Sequence, residues 1–103
     1  MKRKYRTHDE YLDEALKDPK EAALYLNAAV DEEDPALLLT ALAQVVRAHG
    51  VSGTARKASL TRAGLYKTMS KRGNPELNTF LGILKAAGLR MCIKPGKNTG
   101  GRS

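Results

Sequence analysis

Arg62, Tyr66 and Lys67 stand in the run Leu60-Thr-Arg-Ala-Gly-Leu-Tyr-Lys67, at a spacing that gives them one face of a short helix. An arginine there can bond two guanine acceptors at once, and a lysine can reach guanine or phosphate. Tyr66 can lie against bases or bond a phosphate, Ala63 can touch a thymine methyl, and Ser70 continues the same face. Arg56, Lys57, Lys71, Arg72 and Asn74 are spaced to hold phosphates on either side. Ser52 and Thr61, as helix caps, add hydroxyls and free backbone N–H groups to that phosphate set, and Asn74 does the same. This chemistry recognises nucleic acid.

Such a set works only if a helix-turn-helix carries it. Two short helices that cross steeply need a small residue at the crossing, which Ala55 supplies. The tight turn needs an apolar plug behind it, Leu60, and the second helix needs an inward anchor, Leu65, with Met69 one turn on. The pattern predicts a first helix over 53–58 capped by Ser52 and a second over 62–70 capped by Thr61. The outward face of the second then enters a major groove.

The helices around this motif are marked by proline. Asp18-Pro19, Asp34-Pro35 and Asn74-Pro75 each pair a capping side chain with a residue whose φ is already helical. They predict helices over 19–32, 35–49 and 75–87, and a shorter one spans 8–17. The expected core faces are Leu12, Ala15 and Leu16; then Ala22, Leu26, Ala29 and Val30. In the third helix they are Leu38, Leu42, Val45 and Val46, and Leu37 and Leu39 point to burial on more than one side. In the last they are Leu77, Phe80, Leu81 and Leu84. Gly50 and Gly88 are natural stops. Residues 89–94 alternate well enough for one short strand. Its unpaired edges would then pair with its own copy in a dimer, with Cys92 a small buried hydrophobe at that contact.

The organisation is therefore one all-α domain of about six short helices, lambda-repressor-like in order, over 8–94. A basic flexible arm occupies 1–7 and a Gly-, Asn- and Lys-rich flexible tail 95–103. At 103 residues the chain suits one domain. The net charge of +7 conceals a division. Residues 1–50 hold seven basic and ten acidic groups; residues 51–103 hold eleven basic groups and one acid, Glu76. Solvated surfaces usually mix both signs, so the second half has a polyanion as its first candidate partner.

Several classes are excluded or disfavoured. One cysteine makes no disulfide framework and no Cys-based zinc site, and no cofactor or metal is expected. No apolar run reaches the roughly 20 residues of a membrane span, so no membrane partner is expected. The chain is not expected to be an enzyme. General acid–base cleavage of RNA needs convergent groups, and the basic half contains no histidine. His8 and His49 have no nucleophile or acid at a motif spacing; His49 suits a helix C-terminus.

In the order of its helices and the placing of Ala55, Leu60 and Leu65 the chain resembles the lambda-repressor/Cro class. More closely it resembles the HigA-like addiction-module antidotes (antitoxins), a group of small predicted transcriptional regulators. The matching stretches include Ala22-Ala-Leu-Tyr-Leu-Asn-Ala-Ala29, Asp34-Pro35, Gly50-Val-Ser52 and Leu60-Thr-Arg-Ala-Gly-Leu-Tyr-Lys67. Gly73-Asn-Pro-Glu-Leu77 and Leu84-Lys-Ala-Ala-Gly-Leu89 complete them. The turn position that this class gives to glycine is Ser59, and Thr54 and Thr68 stand where apolar residues or alanine are frequent.

The resemblance implies a paired role. Such antidotes neutralise a small basic toxin of the RelE/HigB-like, mRNA-cleaving class encoded beside them. They also repress their own promoter as homodimers on palindromic operator DNA, with half-sites about 34–36 Å apart. It implies a bacterial, cytoplasmic protein, nucleoid-associated when bound. Asp9, Glu10, Asp13, Glu14, Asp31, Glu32, Glu33 and Asp34 would complement a basic toxin, although solubility and helix capping explain acidic residues equally well. The alternative is a stand-alone or phage-type helix-turn-helix regulator with no toxin partner.

Overall fold

The computed structural model describes residues 8–70 and 72–96. Six helices follow in order: α1 (His8–Ala15), α2 (Pro19–Asp31), α3 (Pro35–His49), α4 (Val51–Lys57), α5 (Arg62–Thr68) and α6 (Leu77–Ala86). No strand occurs among the described residues.

Two of the three proline signals mark helix starts. The Asp18 carboxylate accepts from the Lys20 N–H at 2.9 Å, and Asp34 accepts from the Ala36 and Leu37 N–H groups at 3.0 and 3.4 Å. Each satisfies donors that a helix start leaves orphaned, with proline at the next position. The third signal misleads. Asn74-Pro75 lies in an irregular connection, and α6 begins at Leu77 with Glu76 at its cap position and no side-chain cap bond.

α3 is the central helix. α1, α2 and α4 all pack against it. Leu42, Val45 and Val46 are fully buried and Leu39 nearly so, each stabilising the fold by about 1.5–3 kcal/mol. Leu37, by contrast, stays exposed. Leu16 closes the α1 side of the core, and Ala22, Leu26 and Ala29 close the α2 side. Val30, expected inside, is 51% exposed, and Ala15 is exposed as well. The His49 Nε2 lies 3.1 Å from the Leu16 carbonyl oxygen, which can only accept, so Nε2 carries the proton. This bond joins the end of α3 to the α1–α2 connection.

The core face of α6 is shifted from the expected one. Ile83, Leu84 and Ala87 are buried and Phe80 is half-buried, whereas Leu77 and Leu81 are exposed. Both sets satisfy an i, i+3, i+4, i+7 pattern, and packing against α4 selects the second.

Residues 89–96 form no strand, contrary to expectation. Leu89 still donates to the Leu84 carbonyl at 2.8 Å, but residues 90–96 make no backbone–backbone hydrogen bond to another described residue. A strand needs a ladder partner, and the described segments beside this one are helices, whose main-chain groups are already paired. Cys92, expected to be buried, is exposed as a free thiol.

Candidate nucleic-acid interface

Gly50 alone separates α3 from α4, with φ 101°, a conformation that glycine adopts without strain. Gly50 is the N-cap of α4, which starts two residues earlier than expected, so Ser52 lies inside it. Thr54 and Ala55 are its buried residues, so the small Ala55 permits the close approach to α5 and α6.

The turn to α5 is tight. Leu60 donates to the Ala55 carbonyl at 2.8 Å and packs half-buried against the core. Ser59 adopts φ 61°, the left-handed conformation that glycine would take without strain. The turn therefore keeps its left-handed geometry with a side chain present. Thr61 then caps α5, its Oγ1 accepting from the Gly64 N–H at 2.9 Å. Leu65 is fully buried and Met69 nearly so, which fixes the rotation of α5. Thr68 donates its hydroxyl back to the Gly64 carbonyl at 2.9 Å, so its polar atom is satisfied within the helix.

That rotation leaves Arg62, Ala63, Tyr66 and Lys67 exposed on one short helix, with Ser70 exposed just beyond it. The Arg62 guanidinium carbon sits 5.9 Å from the centre of the Tyr66 ring, and Arg62 Nη1 donates to Ser52 Oγ at 3.1 Å. Ser52, expected as a cap beside phosphate, instead holds the arginine. Arg56 and Lys57 are exposed at the end of α4. Lys67, Ser70, Arg72 and Asn74 border a cleft of about 360 Å³ beside the end of α5. Lys71 lies outside the described residues, as do the arm at 1–7 and the tail from 97.

Gly73 stands in the Gly73-Asn-Pro-Glu-Leu77 match but has no place among the expected site residues, and its backbone is closely packed. A methyl group there would collide with the Thr68 carbonyl oxygen and lie 2.9 Å from the Ser70 carbonyl oxygen. The chain thus folds tightly under the end of α5 before α6. The only sequence signal for this was the Gly73-Asn-Pro75 turn chemistry.

The acidic half is partly committed to structure. Asp18 and Asp34 cap helices. Asp13 lies 3.6 Å from Arg47, an ion-pair distance too long for a hydrogen bond. Asp31, Glu32 and Glu33 remain exposed at the α2–α3 turn, where Glu33 takes φ 57°.

The family described as "Probable addiction module antidote protein" matches residues 7–95. The chain belongs to that family. Its match spans all six helices of the chain. An antidote implies a cognate toxin as its partner. An uncharacterised protein of Haemophilus influenzae (strain Rd) is 38% identical over 81 residues, covering 79% of this chain and 84% of its own. No solved structure matches the chain. No helix among the described residues is long and apolar enough to cross a membrane.

Proposed function

We propose that the chain is a non-enzymatic, sequence-specific DNA-binding repressor that acts as the antitoxin of a toxin–antitoxin pair. As a homodimer on a palindromic operator it sets α5 in the major groove. Arg62, Ala63, Tyr66, Lys67 and Ser70 read or flank bases, and Arg56, Lys57, Lys71, Arg72 and Asn74 set phosphate register. The observation that carries this reading is α5 itself: capped by Thr61, anchored by fully buried Leu65, and exposed along its Arg62–Lys67 face.

Membership of the antidote family supports the toxin-neutralising role. The toxin we infer is a small basic RelE/HigB-like mRNA-cleaving protein, whose charge suits the exposed acids Asp31, Glu32 and Glu33. The test is copurification with the product of the adjacent gene, followed by a gel shift on the DNA upstream of the operon. Expected are a stable complex, rescue of growth when the two are co-expressed, and tighter binding to upstream than to random DNA. A shift with no toxin partner would leave a stand-alone regulator, and no preference for the upstream DNA would end the repressor reading.

A further inference from the structure

One long segment of the chain carries no cation. Residues 21–46 hold five acids and no lysine, arginine or histidine, in a chain with 18 lysines and arginines. Four of the five, Asp31, Glu32, Glu33 and Asp34, are consecutive at the turn from α2 to α3, and all four are exposed. Two apolar grooves meet there at Ala29. One, of about 310 Å³, is formed by Tyr25, Ala28 and Leu37 and bordered by Glu32. The other, of about 250 Å³, is formed by Val30, Pro35 and Leu38 and bordered by Glu33 and Asp34. Val30 is 51% exposed and Leu37 40%, so apolar surface lies open among the carboxylates.

Stability explains only one of these acids, Asp34, which caps α3. Asp31 is the last residue of α2 and Glu32 its C-cap, where the negative end of the helix dipole disfavours both, and no basic residue stands in that last turn. Glu33 takes φ 57°, a conformation that costs a residue with a side chain. Elsewhere in the acidic half the chain supplies its own cations: Asp13 faces Arg47 at 3.6 Å and Glu14 faces Lys17 at 3.5 Å. The side chains of Asp31, Glu32 and Glu33 have no hydrogen bond or ion pair among the described residues.

We propose that the α2–α3 turn with its two grooves is the surface that captures the toxin. Apolar side chains of a basic toxin surface enter the grooves, and the lysines or arginines beside them meet Asp31, Glu32 and Glu33. The proposal rests on the antitoxin reading and assigns that reading its surface. Charge selects the occupant. Nucleic acid and anionic lipid carry the same sign as the turn. A second copy would bring the same acids to the contact, like against like. A basic protein surface gains from the acids and from the grooves together. The turn is also set before the partner arrives, because the Glu32 and Glu33 N–H groups donate to the Ala29 and Val30 carbonyls at 3.1 and 2.9 Å. α2 packs on α3, and α5 on α4, so toxin and DNA are taken by different elements.

The test is titration of the full chain with the purified product of the adjacent gene at two salt concentrations. Glu32→Lys and Glu33→Lys, made singly, are each expected to weaken capture about five- to tenfold and to flatten its salt dependence. Leu37→Gln is expected to weaken it about fivefold or more with the salt dependence kept. All three should keep the helical circular dichroism, since Glu32, Glu33 and Leu37 are exposed and a lysine suits the end of α2. Glu21→Lys makes the same charge change eleven residues back along α2. It lies roughly 16 Å away, beyond a screening length of about 10 Å, and is expected to capture as the wild type does. Capture by the Glu32 and Glu33 variants at wild-type strength would overturn the proposal and leave the antitoxin reading standing. An equal loss in Glu21→Lys would reduce the effect to net charge and overturn it too. So would a change in the sedimenting mass of the toxin-free variants, which would assign the turn to a second copy. A wild type that captures nothing at either salt would overturn both the surface and the antitoxin reading.

Discussion

The guanidinium of Arg62 is bonded to the hydroxyl of Ser52, Nη1 donating to Oγ at 3.1 Å, so the first residue of α5 is tied to the second residue of α4. The Tyr66 ring lies under the same guanidinium at 5.9 Å. A long flexible side chain is thereby held before any ligand arrives, which lowers the ordering cost of binding.

Arg62→Ala is expected to weaken operator binding by about 1–3 kcal/mol and to relax preference at one base position. Gel shifts on a panel of single-base operator variants measure both. Equal loss on random DNA would make Arg62 a phosphate contact. Ser52→Ala is expected to give a smaller loss with the base preference kept, because it frees the side chain without removing it.

Arg72 borders the cleft at the end of α5 and lies beyond the helix itself. Arg72→Ala is expected to weaken binding to all sequences alike. The slope of log K against log salt should fall by about one contact's worth, roughly 0.9. An unchanged slope would remove Arg72 from the phosphate set.

Thr61→Ala deletes the cap on Gly64 N–H and is expected to cost about 1 kcal/mol of stability. For a domain of this size the melting temperature should drop by roughly 4–8 °C. A melting temperature within a degree of the wild type would show that water replaces the cap at no cost.

Gly73→Ala is expected to destabilise the protein by about 1–3 kcal/mol, since the added methyl meets the carbonyl oxygens of Thr68 and Ser70, which are backbone and cannot swing aside. Phosphate contacts from Arg72 and Asn74 should weaken with it. Chemical denaturation and a salt-dependent gel shift read the two effects. An alanine variant of full stability would contradict the close approach.

Much of this was written in local chemistry. Asp18-Pro19 and Asp34-Pro35 combine a capping carboxylate with a preset φ, and nothing distant competes with them. Ala55 and Leu65 were legible because a helix-turn-helix demands a small residue and an apolar anchor at those places. Asn74-Pro75 carries the same local signal, but Gly73 folds the chain under α5 and delays α6 to Leu77. The face of α6 was ambiguous because Leu77, Phe80, Leu81 and Leu84 fit helical spacing as well as the face that α4 covers. The link between Ser52 and Arg62 spans ten residues and depends on how α4 and α5 cross, which spacing alone does not encode.

Gly50, the single residue between α3 and α4, has a consequence for turnover. The change from acidic to basic charge falls inside one packed core, because α3 touches α1, α2 and α4 alike. A protease therefore finds no linker at which to separate the acidic half from the basic half. Degradation is therefore expected to remove both halves together. On the proposed function, the event that frees the toxin is also the event that reopens the promoter, and synthesis of new antidote begins as the old is lost.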